Sequence, residues 1–333
     1  MQASKSISNK KDIMKKIRFA HAITCRLLVA ITILSFSVVN AQTTEQWEKM
    51  KGDINLFIAN DLGRNGYYDQ KPIAELMGEM AETIGPECII AAGDVHHFNG
   101  VASVDDPLWT TNFELIYSHP ELMIDWLPVL GNHEYRGNTQ AVLDYSKKSR
   151  RWVFDQRYYT RCYEDKKAGV SLRVIFIDTT PLIRKYRKDK DTYPDVNLQD
   201  ADRQMAWLDS TLSVAKEQWV LVVGHHPIYA QTSKSDSERK DLQKCLLPIL
   251  QRHNNVDAYL CGHIHNFQHI RHEGDPIDYI VNSSASLSRD VAPTDGTVFC
   301  SPEPGFSVIS ASKDHLYVYM IDKSGTVIYT VTN

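Results

Sequence analysis

Short apolar runs, each cut off by glycine or a polar pair, recur along the chain. Ile54–Ala59 predicts a first strand that stops at Asn60-Asp61-Leu62-Gly63. From Pro72 to Ile84, Leu76, Met80 and Ile84 recur at helical spacing and predict an amphipathic helix opened by proline. The run Ile89-Ile90-Ala91-Ala92 ends at Gly93 and delivers Asp94-Val95-His96-His97. A short apolar run bounded by glycine suits a parallel strand buried on both faces, here Cys88–Asp94. Further strands are predicted at Trp126–Leu130, Leu172–Ile177, Trp219–Val223 and Ala258–Cys261. Helices are predicted around Leu108–Tyr117 and over Thr139–Lys148, Gln204–Leu212 and Glu238–His253. Arg184–Asp195 is charged and turn-rich and reads as a surface loop. The end of the chain is short β: Tyr279–Val281, Phe306–Ser310, and a hairpin Leu316–Ile321 / Val327–Thr332 across Asp322–Gly325.

Strands alternating with helices indicate an α/β fold, and no internal repeat or linker divides it. The first 41 residues follow another logic. Lys10, Lys11, Lys15, Lys16, Arg18 and Arg26 flank an apolar run of 13, Leu27–Val39, and Val39-Asn40-Ala41 offers small residues for cleavage. This is the pattern of a secretory signal peptide, with Met14 an alternative start, and a membrane span would need ~20 apolar residues. Residues 42–333 then form one catalytic domain, exported to the periplasm or beyond.

Hydrophobic residues make up 43% of the chain, enough for a large core. Removing residues 1–41 takes away seven Lys/Arg and one Asp, so the formal charge of −4 becomes −10. Such a protein is a poor partner for nucleic acid or anionic membrane, and an anionic substrate would need a local cation, which metal ions supply. The remaining cysteines, Cys88, Cys162, Cys245, Cys261 and Cys300, are odd in number, and no pairing is assigned.

Candidate chemistry sits where the strands stop. Asp61, Asp94, Asn132, His225, His263 and His265 each follow a predicted strand within a few residues. Two carboxylates, an amide oxygen and three imidazoles suit borderline metals such as Zn, Fe and Mn, and are about enough for two open sites. Two ions ~3.5–4 Å apart sharing one carboxylate clamp an in-line displacement at phosphorus and lower the pKa of bound water. His133, beside Asn132, is suited to bond phosphate or protonate the leaving oxygen. A single His-x-His or Asn-His-Glu would more often be an ordinary turn, and it is the joint order that speaks. Asp178 reads as scaffold, Tyr67, Tyr68 and His226 as pocket candidates, and His269 and His272 as solvated.

The order Asp61-x-Gly63, Gly93-Asp94, Gly131-Asn132-His133-Glu134, Gly224-His225 and Gly262-His263-x-His265 resembles the calcineurin-like metallophosphoesterases, and among them the small purple (tartrate-resistant) acid phosphatases. Asn138–Trp152 and Val256–Gln268 resemble that subfamily too, and the likeness covers residues 54–320. It implies a four-layer α/β sandwich of two mixed sheets flanked by helices. It also implies a dinuclear iron–iron, iron–zinc or iron–manganese centre hydrolysing phosphate monoesters, the attacking group being a metal-bound hydroxide. Carried over, Asp61, Asp94 and His265 would hold one metal, and Asp94, Asn132, His225 and His263 the second, with His133 and Asp94 central to catalysis. The family's ligating tyrosine, three residues after the bridging aspartate, is replaced by His97. His97 is expected to ligate as an imidazole, His96 being the competing neighbour, and the protein is expected not to be purple. A small phosphorylated substrate and a monomeric state complete the expectation. The competing functions are a phosphodiesterase of the same superfamily and a non-catalytic metal-binding protein.

Overall fold

Two mixed β-sheets carry the computed structural model, which describes residues 44–333. The segment read as a signal peptide lies outside the described residues. Residues 44–48 are helical, and residues 50–333 form a unit of their own. In the first sheet, β1 (Ile54–Ala59), β2 (Cys88–Ala91) and β3 (Asp125–Pro128) run parallel. Beside β1 lies the antiparallel set formed late in the chain: β11 (Gly305–Ala311), β12 (Leu316–Asp322) and β13 (Val327–Thr332). In the second sheet, β5 (Val170–Phe176), β6 (Trp219–Val223), β7 (Ala258–Cys261) and β9 (Asp278–Val281) are parallel. Antiparallel strands β4 (Tyr159–Asp165), β8 (Phe267–Ile270) and β10 (Thr297–Ser301) complete its two sides.

Every residue of β1, β2 and β7 is buried, as parallel strands covered on both faces require. Helix α1 (Gln70–Ile84) buries Ile73, Met77, Met80 and Ile84, and ends at Gly85 in the left-handed conformation. Helices α2 (Thr139–Asp144), α3 (Arg184–Lys188), α4 (Ala201–Val214), α5 (Ser237–Cys245) and α6 (Leu247–Arg252) complete the flanking layers of an α/β sandwich. The sheets meet through contacts such as the Tyr159 hydroxyl donating to the Pro128 carbonyl. A parallel bridge between Asn60 and Ser284 draws the carboxyl ends of β1 and β9 together, so the strand ends of both sheets face one volume.

The predicted strands all exist, but β4, β8 and β10 went unread. Tyr159–Asp165 is half-exposed and charged, so its apolar signal is weak. The helix expected at Leu108–Tyr117 is a π-helical turn, Trp109–Glu114, whose Trp109 stacks on Tyr145 at 3.5 Å. The long helix expected at Glu238–His253 breaks at Leu246, just before Pro248, which has no N–H to continue it. Two expectations need correction. Arg184–Asp195 is not simply a surface loop: α3 turns Tyr186 inward, and Tyr193 is buried too. His269 is not solvated: its ring is buried between Asp278 (2.6 Å) and the Tyr329 hydroxyl (3.0 Å). No disulfide joins the five cysteines among the described residues, and no helix there is long and apolar enough to cross a membrane.

Candidate metal centre

Five strands end at one place. Asp61 follows β1, Asp94 follows β2, Asn132 follows β3, His225 follows β6, and His263 and His265 follow β7, all of them buried. Asp61 (φ 53°), Asp94 (54°), His263 (74°) and His265 (63°) hold left-handed backbone. That conformation costs a non-glycine residue roughly 1–2 kcal/mol, and such outliers gather at functional sites. Two neighbouring glycines permit the crowding: a Cβ on Gly93 would lie 2.4 Å from His225 Nδ1, and one on Gly131 2.2 Å from Asp94 Oδ1.

The imidazoles share one arrangement. Each turns one nitrogen to a fixed acceptor and the other inward. His225 Nδ1 donates to the Ala92 carbonyl (2.8 Å), leaving Nε2 3.1 Å from Asp94 Oδ2. His265 Nδ1 donates to the Leu287 carbonyl (2.6 Å), leaving Nε2 3.1 Å from Asp61 Oδ1. His263 Nε2 donates to Glu238 (3.0 Å), leaving Nδ1 3.3 Å from His225 Nε2. His133 Nδ1 donates to the Phe98 carbonyl (2.6 Å), and its Nε2 lies 3.8 Å from Asp94 Oδ2. A hydrogen bond on the outer nitrogen sets the tautomer and frees the inner lone pair, the usual dress of a metal-binding histidine.

His97 differs. Its Nε2 lies 3.7 Å from Asp94 Oδ2, and neither ring nitrogen has a hydrogen-bond partner. With Asp61 and His265 it forms one group whose donor atoms could close around an ion; Asp61, Asp94 and His225 form another. His96 points the other way, its ring packed edge-on against Trp109 at 4.4 Å. His226 neighbours His225 and His263, but Thr179 Oγ1 (2.8 Å) and the Tyr186 hydroxyl (3.0 Å) occupy both of its nitrogens. That makes it a buttress.

The orphaned atoms test the fit to a metal. Asp61 Oδ1, both His97 nitrogens and Asn132 Oδ1 are buried without a hydrogen-bond partner. Most buried polar groups find a partner; of the 13 atoms among the described residues that do not, these four converge at the strand ends, which fits a cation-binding site. The other Asp61 oxygen is taken by Asn60 Nδ2 (2.6 Å) and the His263 amide (2.9 Å), and Asp94 Oδ1 accepts the His133 amide (2.9 Å). Burial opposes ionisation of Asp61, yet His265 holds it well below the ordinary carboxylate range. Burial likewise opposes a charge on His225, but Asp94 carries it up to about 9. Burial dominates at His97, which lies well below the usual imidazole value.

Several residues around the site were not singled out in the sequence. Glu134 accepts the amides of Asp94 (2.9 Å), His96 (3.1 Å) and Gly131 (2.8 Å), tying the β2 and β3 turns together. Its place in Gly131–Glu134 was the available signal. Glu238 lies on α5, 25 residues before His263, and nothing local marks it. Lys234 Nζ donates to the His263 carbonyl (2.8 Å) and lies 2.9 Å from Nε2 of the same residue. Arg64 is buried with no partner for its Nε and has Phe98 under its guanidinium at 4.8 Å. Tyr67 and Tyr68, expected near the pocket, stand exposed. Asp178, expected as scaffold, is buried and accepts the Tyr135 hydroxyl at 2.5 Å.

Comparison with known proteins adds an independent line. The family model described as Calcineurin-like phosphoesterase matches residues 54–267. Purple acid phosphatase 4 of Arabidopsis thaliana is 29% identical over 324 residues, 92% of each chain. Tartrate-resistant acid phosphatase type 5 of Sus scrofa is 35% identical over 203 residues, 60% of this chain and 59% of its own. Among solved structures, GAP50, the anchor in the inner membrane complex of Plasmodium, superposes with a TM-score of 0.72 at 24% identity, over 84% of this chain and 88% of its own. A dimetal phosphatase from Danio rerio gives 0.55 at 12% identity, over 85% and 99%. At those identities the structures speak for the fold alone.

Proposed function

The chain belongs to the calcineurin-like phosphoesterases and is a metal-dependent phosphatase, and from that premise we propose that it hydrolyses phosphate monoesters at the strand-end centre. Asp61, Asp94, His97 and His265 would hold one ion, and Asp94, Asn132, His225 and His263 the other, with Asp94 shared. The observation that carries this reading is the set of buried, partnerless polar atoms: Asp61 Oδ1, the His97 nitrogens and Asn132 Oδ1. The mixed nitrogen–oxygen donor set suits iron, zinc or manganese. Ions bound there would neutralise the phosphate and make water acidic enough to react near neutral pH.

The chain's own residues supply position. Glu238 and the carbonyls of Ala92 and Leu287 fix the histidine tautomers before any ligand arrives. His133, with Nδ1 bonded to Phe98, keeps Nε2 toward Asp94, where it can bond a phosphate oxygen or hand a proton to the leaving oxygen. Arg64 adds a fixed positive charge felt by Asp61 and Asp94. The names of the relatives, acid phosphatases, support monoesters over diesters. The basic flank and 13-residue apolar run before residue 41 support export.

Hydrolysis of p-nitrophenyl phosphate tests the reading. Chelation should abolish activity, and separate refilling with iron, zinc and manganese should restore it with a preferred ion. Faster turnover of bis(p-nitrophenyl) phosphate than of the monoester would overturn the monoester assignment, and activity indifferent to chelation would overturn the metal centre.

A further inference from the structure

Beside the centre lies a groove of about 620 Å³, lined in part by Gln231, Ser233, Ser288, Arg289 and Asp290. That size is in the range of small-molecule sites, roughly 300–1,000 Å³. Both of its walls run directly into the centre. On one, Ser233 precedes Lys234, whose Nζ reaches the His263 carbonyl. On the other, Ser288 follows Leu287, the acceptor for His265 Nδ1, and the Arg289 amide donates to the His265 carbonyl at 2.8 Å. The walls are braced by Gln231, which exchanges two hydrogen bonds with Gln268 (2.8 Å each) and accepts the Ala292 amide.

Arg289 is the cation of the groove lining. Among the described residues, the side chains of Lys234, Arg289 and Arg64 form no ion pair, although 13 Lys/Arg–carboxylate pairs occur elsewhere. Lys234 and Arg64 lie in the field of Asp61 and Asp94, whereas Arg289 stands in the groove lining. Asp290 is the one carboxylate in the groove lining, and no aromatic ring lines it for a base to stack on.

Resting on the phosphatase reading, we infer that this groove receives the leaving group of the substrate, and that the preferred leaving group carries a second anionic group, phosphate or carboxylate, paired with Arg289. A phosphate ester bound at the centre must extend its alcohol portion into an adjoining space, and this one offers the unpaired Arg289 and fixed polar walls. An unpaired cation on the groove wall gains from an anion placed beside it, since opposite charges attract at close range. The subsite would therefore read charge on the leaving group.

Steady-state kinetics of the metal-loaded full chain on a matched set tests this. Fructose 6-phosphate, 6-phosphogluconate and fructose 1,6-bisphosphate offer neutral, carboxylate-bearing and phosphate-bearing leaving groups. At least one anionic member should exceed fructose 6-phosphate in kcat/KM by about tenfold or more, and which one identifies the second anion. Arg289→Glu should collapse that ratio, chiefly through KM, whereas Arg289→Lys should retain most of it. Because Arg289 is exposed, neither change threatens the fold. Equal kcat/KM across the set, or a ratio untouched by Arg289→Glu, overturns the subsite while leaving the phosphatase reading intact. Failure to hydrolyse these three and p-nitrophenyl phosphate as well would bring down both.

Discussion

At the scale of single residues, His97 and Asp178 carry the sharpest consequences. His97 stands where the resembling enzymes have a tyrosine whose tyrosinate on ferric iron produces their colour. Its nitrogens are unbonded and its ring is near Asp61, Asp94 and His265. A neutral imidazole gives no phenolate charge-transfer band, so the iron-loaded protein should lack strong visible absorption, and His97→Tyr loaded with ferric iron should acquire it. A strong band in the unsubstituted protein would remove His97 from the ligand set. Asp178 bears on pH. Burial raises its carboxyl to about 6, against the pull of Arg157 and the Tyr135 hydroxyl. The fold therefore keeps a proton that the unfolded chain releases near pH 4. Stability is unpenalised below that value and falls as pH rises to about 6, by roughly 3 kcal/mol for a shift of this size. Asp178→Asn can still accept from Tyr135 and has no charge to bury. Its Tm should fall less than that of the unsubstituted protein between pH 4 and 6, and parallel curves would refute the account.

At the scale of elements, the organising unit is the strand-end turn, and Glu134 joins two of them. One carboxylate accepts three amides, from the turn after β2 and the turn before the short helix at Glu134–Arg136. Glu134→Gln replaces one acceptor oxygen with a donor, leaving at least one buried N–H facing an N–H. A buried donor left unpaired costs about 1–3 kcal/mol, so Tm should drop by several degrees. Asn132, His133 and Asp94 all sit on these turns, so activity should fall with it. An unchanged Tm would mean the turns hold themselves. The same scale explains the misread Arg184–Asp195 segment. Its composition is that of a solvated loop, yet Tyr186 leaves it to meet Glu238 (2.9 Å) and His226 (3.0 Å), and in doing so braces the side of the centre that holds His263.

At the scale of the whole molecule, the centre belongs to neither sheet. Asp61, Asp94 and Asn132 come from one and His225, His263 and His265 from the other, so ions held among them would cross-link the two. The chelated sample of the activity assay should accordingly melt at lower temperature than the refilled one, because a ligand that binds only the folded state stabilises it. The local part of this design was legible in the chain. An apolar run, a glycine and a polar side chain are neighbours in sequence, so the strand ends, the residue types gathered there and their suitability for two metals could be read without coordinates. What lay beyond reading were relations between distant segments. The choice of His97 over His96 depends on Trp109 packing against the latter. The tautomer of His263 depends on Glu238 and the second oxygen of Asp61 on an amide 202 residues away, while the groove beside the centre exists only because folding brings the segments of Ser233 and Ser288 together. Patterns of polarity fix which residues stop at a surface, because burial is decided locally by the period of the strand. Only folding decides which surfaces then meet, and with them the direction of each hydrogen bond and the charges left without a partner.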